Sequence, residues 1–157
     1  MKIVVSPNPY RDKQFKNARQ ACSILREAGA EVALCLPFDV DKTFEIPHDL
    51  RFQDIQKEIK TADMLICFGG DGTILHSSKI ATEHNLPILG VNIGTMGFIA
   101  ELEAGEIELL RKIPKGDYTV EERTMLDVSV GNGRQTLFHE TALNDAVITK
   151  GAIARVV

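Results

Sequence analysis

Met64-Leu65-Ile66-Cys67-Phe68 is an unbroken apolar run that ends directly in Gly69-Gly70-Asp71-Gly72-Thr73. A strand with one wet face alternates apolar and polar residues, whereas a strand covered on both faces reads as a continuous run. The run therefore predicts a central parallel strand between two layers of helix. The glycines at its carboxyl end predict a tight turn into a helix. The residues around it agree. Lys2-Ile3-Val4-Val5 is a β-branched run that ends in Ser6-Pro7-Asn8-Pro9. Phe15, Ala18, Cys22 and Leu25 then recur at helical spacing, and Gly29 can take the left-handed conformation that ends a helix. Glu31 to Leu36 is the next strand, closed by Pro37. This β-α-β start implies parallel strands joined by right-handed crossovers.

The pattern continues downstream. Residues 38–51 carry no regular periodicity, and Phe52, Ile55 and Ile59 mark a short amphipathic helix. A helix after Thr73 places Ile74, Leu75, Ser78 and Ala81 on its inner side. Pro87 to Asn92 is a fourth strand, and Glu106 to Ile113 another helix closed by Pro114-Lys115-Gly116. Tyr118 to Val130 alternates like a half-exposed strand, and Gly131-Asn132-Gly133-Arg134 predicts a hairpin turn with Thr136 onward as the partner strand. The fold expected is α/β: a parallel-sheet Rossmann-like domain over residues 1–117, then the first antiparallel strands of an incomplete β-rich domain over 118–157. The ending Ala154-Arg155-Val156-Val157 reads as the inside of a strand, and the β-rich part is expected to be truncated there.

Composition narrows the partners. In 157 residues, Lys plus Arg is 18 and Asp plus Glu is 22, a net charge of −4. No basic stripe is present for a nucleic-acid backbone, so nucleic acid is not expected as a partner. No apolar run approaches the roughly 20 residues of a membrane span, and no membrane partner is expected. Met1 to Ser6 is too short for the apolar core of a signal peptide, about 7–15 residues. Cys22, Cys35 and Cys67 form no close pair and no CxxC; they read as small buried hydrophobes in a reducing, cytoplasmic setting.

Chemistry concentrates in three places. In Gly69-Gly70-Asp71-Gly72-Thr73 the glycines admit a ligand close to the backbone, and the helix start offers unpaired N–H groups to an anion. Thr73 can cap that helix. Asp71 is an acid among groups that favour phosphate. Such a carboxylate binds a metal, takes a proton from a hydroxyl, or pairs with the helix start; a purely structural turn with Asp71 as cap is the competing reading. No GxxxxGK[ST] is present, and the third glycine of a GxGxxG is replaced by Leu75. The second place is Gly90-Val91-Asn92-Ile93-Gly94-Thr95-Met96-Gly97-Phe98. Asn92 offers a donor and an acceptor, and Phe98 either stacks on a ligand ring or joins the core. The third is Asn144-Asp145, an amide and a carboxylate that bind sugar hydroxyls or an adenine edge, or else form a bulge. His76, near the start of the helix after Thr73, either assists a phosphate or is a plain exposed residue.

Together, in this order, Gly69-Gly70-Asp71-Gly72-Thr73, Gly90 to Phe98 and Asn144-Asp145 resemble the N-terminal portion of an NAD kinase. The first motif alone also resembles lipid kinases of the diacylglycerol type and phosphofructokinase-like enzymes. The resemblance implies phosphoryl transfer from ATP, or in some members polyphosphate, to the 2′-hydroxyl of the adenosine ribose of NAD, with a divalent metal such as Mg²⁺. It implies that Asp71 is the catalytic aspartate. It further implies that Gly69, Gly70, Gly72 and Thr73 hold phosphates, and that Asn92, Phe98, Asn144 and Asp145 line the nucleotide site. Met96 stands where the family usually has Leu. Family members continue into a longer β-rich domain that carries much of the oligomer interface. A homo-oligomer, dimer or tetramer, is therefore implied for the complete protein, and little or no activity for this chain alone. Two rival readings remain: a lipid or other small-molecule kinase sharing the glycine-aspartate loop, and a nucleotide-binding module without catalysis.

Overall fold

The computed structural model describes residues 1–94 and 97–148. One compact unit runs from Met1 to Val120, and a second begins at Glu121. The first unit contains strands β1 (Lys2–Pro7), β2 (Glu31–Leu34), β3 (Met64–Gly69), β4 (Ile88–Asn92) and β5 (Leu102–Glu103). Its helices are α1 (Lys16–Glu27), α2 (Ile55–Glu58) and α3 (Asp71–Glu83), with a 3₁₀ helix over Ala104–Lys115. The five strands are all parallel, in the order β2-β1-β3-β4-β5. The expected α/β parallel sheet is thus the observed one.

The period-2 alternation of side chains sorts the strand residues into two cores. Ile3 and Val5 of β1 and Ile66 and Phe68 of β3 pack with α1 and the 3₁₀ helix through Leu25, Ile107 and Leu110. Val4 and Leu65 point the other way and pack with Ile59 and with Ala81 of α3. Every residue of β3 is buried, which is why its sequence is apolar without alternation. All three cysteines are free and buried. Burial pushes the Cys67 thiol up to about 12, and this thiol carries no nucleophile chemistry near neutral pH.

The strand order creates a switch point. The chain leaves β1 toward β2 on one side, while β3 lies on the other, so the loops that follow β1 and β3 diverge. In parallel sheets the carboxyl ends flanking such a point form a crevice. Residue 38 onward, read as loop, is held by aromatic contacts instead of backbone ladders. Tyr10 stacks on Phe38 at 6.2 Å, and Phe15 meets Phe44 at 6.2 Å and Phe52 at 4.9 Å.

Several boundaries differ from expectation for identifiable reasons. β5 is two residues long, too short for any period to register. The last helix starts at Ala104 because Glu103 and Glu106 form a reciprocal capping box ahead of it, and Gly116 (φ 74°) ends it. Thr73 is not the cap of α3: Gly70 takes that place, and the helix begins at Asp71. In the second unit, β6 (Leu126–Gly131) and β7 (Thr136–Ala142) form the expected antiparallel hairpin, with Gly133 at φ 82° in its turn. The strand starts at Leu126 and not at Tyr118, because seven residues of β7 offer a ladder only to 126–131.

Two side-chain arrangements fix the ground beneath the crevice. A Cβ on Gly69 would overlap Thr73 Oγ1 and stand 2.5 Å from Thr73 Cβ. Thr73 is β-branched and its hydroxyl accepts a 2.9 Å bond from Asn8 Nδ2, so it cannot swing away cheaply. Asp12, fully buried, accepts from Asn17 N and Ala18 N at 3.0 and 2.9 Å and so satisfies the open start of α1. Gly69→Ala is expected to destabilise the protein by about 1–3 kcal/mol through overpacking. Asp12→Ala is expected to cost about 1–3 kcal/mol by leaving buried donors unpaired. Urea denaturation measures both, and an unchanged midpoint in either variant contradicts the corresponding contact.

Candidate nucleotide cleft

The crevice at the carboxyl ends of β1 to β4 is a cleft of about 390 Å³. Asn8 and Arg11 from the loop after β1, Phe38 from the segment after β2, Gly70, Asp71, Gly72 and Thr73 after β3, and Gly94 after β4 line it. All of these belong to the first unit. Four of the residues singled out in the sequence therefore share one wall. Gly69 stands behind them as the seat for Thr73.

The wall is suited to an anion. α3 is thirteen residues long, and no side chain caps its start. Thr73 N and Ile74 N reach back to Gly70 O at 2.9 and 3.3 Å. The helix start lies on the cleft wall, where its dipole favours negative charge.

Asp71 is the first residue of this helix and faces the same cleft. Its carboxylate accepts hydrogen bonds from Phe98 N (3.1 and 3.2 Å to the two oxygens) and from Ile99 N (3.2 Å). The second glycine-rich element thus closes onto the first. Gly97 makes the approach possible. A Cβ there would stand 3.2 Å from Asn92 Cγ and 3.3 Å from Asp71 Oδ1. Of the three roles open to Asp71 from sequence, pairing with the helix start is not the contact seen: the carboxylate bonds instead to loop N–H groups 27 and 28 residues away.

Asn92 lies under this contact and not on the cleft wall. It is buried, its Oδ1 accepts from Gly94 N at 3.0 Å, and its Nδ2 donates to both oxygens of Glu103 at 3.1 and 3.0 Å. Both ends of the amide are committed within the protein. Phe98 is not a core residue: its side chain is 86% exposed while its N–H serves Asp71. His76 Nε2 donates to Pro37 O at 3.1 Å, and its ring meets Phe38 edge-on at 5.7 Å. It supports the segment that brings Phe38 to the cleft.

Asn144 and Asp145 belong to the second unit, just past β7. Both are exposed, and Asn144 Nδ2 donates to Asp145 Oδ1 at 3.4 Å. Thr95 and Met96 lie outside the described residues. Sequence reasoning missed Asn8, Arg11 and Phe38 as lining residues. Their one signal is position: each follows a parallel strand, at the same sheet edge as the glycine loop.

Residues 2–118 match the family model of the ATP-NAD kinase N-terminal domain. The NAD kinase of Caldanaerobacter subterraneus subsp. tengcongensis is 36% identical over 155 residues, covering 98% of this chain and 53% of that protein. The NAD kinase of Natranaerobius thermophilus is 43% identical over 105 residues, covering 66% of this chain and 36% of that protein. Among solved structures, yeast NADH kinase complexed with NADH superposes with a TM-score of 0.67 at 20% identity, over 92% of this chain and 47% of that one, a likeness of fold. The chain spans about half the length of curated relatives that it matches nearly end to end. With the family model matched from the first strand to the end of the α/β unit, the chain belongs to the NAD kinase family.

Proposed function

We propose that this chain is the N-terminal part of an enzyme that transfers a phosphoryl group from ATP, or from polyphosphate, to the 2′-hydroxyl of the adenosine ribose of NAD. The observation that carries the reading is Asp71 on the wall of the cleft beside the open start of α3. A hydroxyl nucleophile needs an acceptor for its proton, and a phosphate needs donors that carry no net charge of their own. Here the two stand on consecutive residues.

Phosphoryl transfer passes through a loose transition state, so positioning and charge stabilisation do most of the work. The backbone N–H groups at Gly70 to Gly72 hold the phosphates. Asp71 accepts the proton of the ribose hydroxyl as its oxygen bonds to the terminal phosphorus. The bond from that phosphorus to the bridging oxygen breaks, and the nucleoside diphosphate leaves. The hydrogen bonds from Phe98 and Ile99 keep the carboxylate in place. Among the described residues no group of three or more His, Cys, Asp or Glu could hold a metal ion. A single carboxylate in a phosphate cleft suits Mg²⁺, which is often bound by one or two carboxylates together with substrate phosphates and water. In the alternative role Asp71 would be its protein ligand instead of the proton acceptor, and the ion would neutralise phosphate charge.

The remaining assignments follow the family resemblance. The exposed ring of Phe98 is free to stack on a base. Asn144 and Asp145 are exposed side chains that can reach sugar hydroxyls or a base edge. His76 acts through Pro37 and Phe38. The donor, the NAD acceptor and assembly into a dimer or tetramer are properties proposed for the whole protein. No helix among the described residues is long and apolar enough to cross a membrane, and the proposed setting is cytoplasmic.

The test uses the full-length protein and follows NADP formation from NAD and ATP. Asp71→Asn is nearly isosteric and keeps an acceptor for Phe98 N. It is expected to lower turnover by about two to four orders of magnitude, the usual weight of a general base. Wild-type turnover in that variant would contradict the assignment. This chain by itself is expected to form little or no NADP, since it spans about half of its relatives; robust turnover by the 157 residues alone contradicts the fragment reading.

A further inference from the structure

The cleft wall carries two charged side chains, Asp71 and Arg11. Asp71 is bonded to the loop after β4. Arg11 makes no side-chain hydrogen bond or ion pair among the described residues. Arg19, Arg26 and Arg111 of the first unit bond to protein oxygens; Arg51, like Arg11, makes no side-chain bond among the described residues but does not line the cleft.

The backbone that presents Arg11 is anchored on both sides. Asn8 N donates to Phe68 O at 2.8 Å, and Asn8 Nδ2 donates to Thr73 Oγ1 at 2.9 Å. Asn8 O accepts from Arg11 N and Asp12 N at 3.1 and 2.9 Å, and Asn8 Oδ1 accepts from Tyr10 N at 3.0 Å. Asp12, next in the chain, is fully buried in its bonds to the start of α1. The turn is thus built onto β3 and onto the first turn of α3. Rigid presentation lowers the ordering cost when a ligand binds. The guanidinium is a planar fork of donors that matches phosphate oxygens.

We infer that Arg11 binds phosphate, gripping a linear oligophosphate whose other groups rest on the N–H groups at the start of α3. The cleft, about 390 Å³, is of the size that holds small-molecule ligands and exceeds what one phosphate fills. Its two anion-binding elements come from different loops, after β1 and after β3. Asp71 on the same wall repels a polyanion, and Arg11 offsets that repulsion. The inference rests on the reading of the cleft as a nucleotide phosphate site. The oligophosphate is either the triphosphate of the donor or the pyrophosphate of NAD.

Calorimetric titration of the chain with inorganic tripolyphosphate and, separately, with NAD tests this without requiring turnover. Arg11→Ala is expected to weaken binding by about tenfold or more for one of the two ligands. Arg11→Lys keeps the charge without the fork and is expected to fall between. The melting temperature should stay unchanged in both variants, because the side chain has no protein partner to lose. Selective loss for tripolyphosphate places Arg11 on the donor; selective loss for NAD places it on the acceptor. Unchanged affinity for both ligands in Arg11→Ala overturns the inference, as does a wild-type chain that binds neither. If the full-length protein forms no NADP while the Arg11 effect persists, the kinase reading fails and the phosphate site stands.

Discussion

The carboxylate of Asp71 joins two loops that leave different strands. One runs from β3 into α3, and the other leaves β4. The N–H groups of Phe98 and Ile99 are bonded to that carboxylate. The ends of the second loop are held by Ile93 N on Gly69 O and Glu101 N on Gly90 O, and the Asp71 contact holds its Phe98–Ile99 part against the glycine-rich wall. The surrounding residues are consistent with this single requirement. Gly97 carries no Cβ, so the backbone comes within reach of Asp71 and Asn92. Asn92 spends both ends of its amide on Gly94 and Glu103. Glu103 in turn forms the capping box of the next helix. A chain of contacts therefore runs from the last helix of the sheet unit to the Asp71 carboxylate.

The same contact bears on the chemistry. Under the proposed reading, a carboxylate at a helix start beside bound phosphate repels it unless it has work to do there. Backbone N–H groups compensate its charge without neutralising it chemically, and they hold it in one orientation. Such a group can take a proton from a hydroxyl brought against it, and it does not need to move to do so. Cys67, two residues before the glycine loop, is the opposite case. It is buried and its thiol is pushed up to about 12, so it serves packing.

Much of this was legible in the residues, for physical reasons. The apolar run of β3 must be covered on both faces, and glycines after it must turn; both follow from local chemistry. The hairpin at Asn132-Gly133 is equally local. What was not legible depends on strand order. A β-α-β start does not say which side of β1 receives β3, so the approach of Asn8 and Arg11 to Thr73 could not be read from spacing. Asn92 shows the same limit. An amide beside glycines looks like a ligand contact, but its partner Glu103 lies eleven positions on and becomes a neighbour only when β5 pairs with β4. Phe98 misleads in the other direction, since an aromatic residue after glycines reads as core while its ring is exposed.

The central claim is that the wall at Gly70 to Thr73 receives nucleotide phosphates beside Asp71. A crystal structure of the full-length protein with NAD and a non-hydrolysable ATP analogue tests it most directly. The account predicts phosphate oxygens within hydrogen-bond distance of the Gly70–Gly72 N–H groups and the adenosine 2′-hydroxyl against the Asp71 carboxylate. A nucleotide bound away from the carboxyl ends of β1 and β3, with Asp71 facing neither phosphate nor ribose, would contradict it.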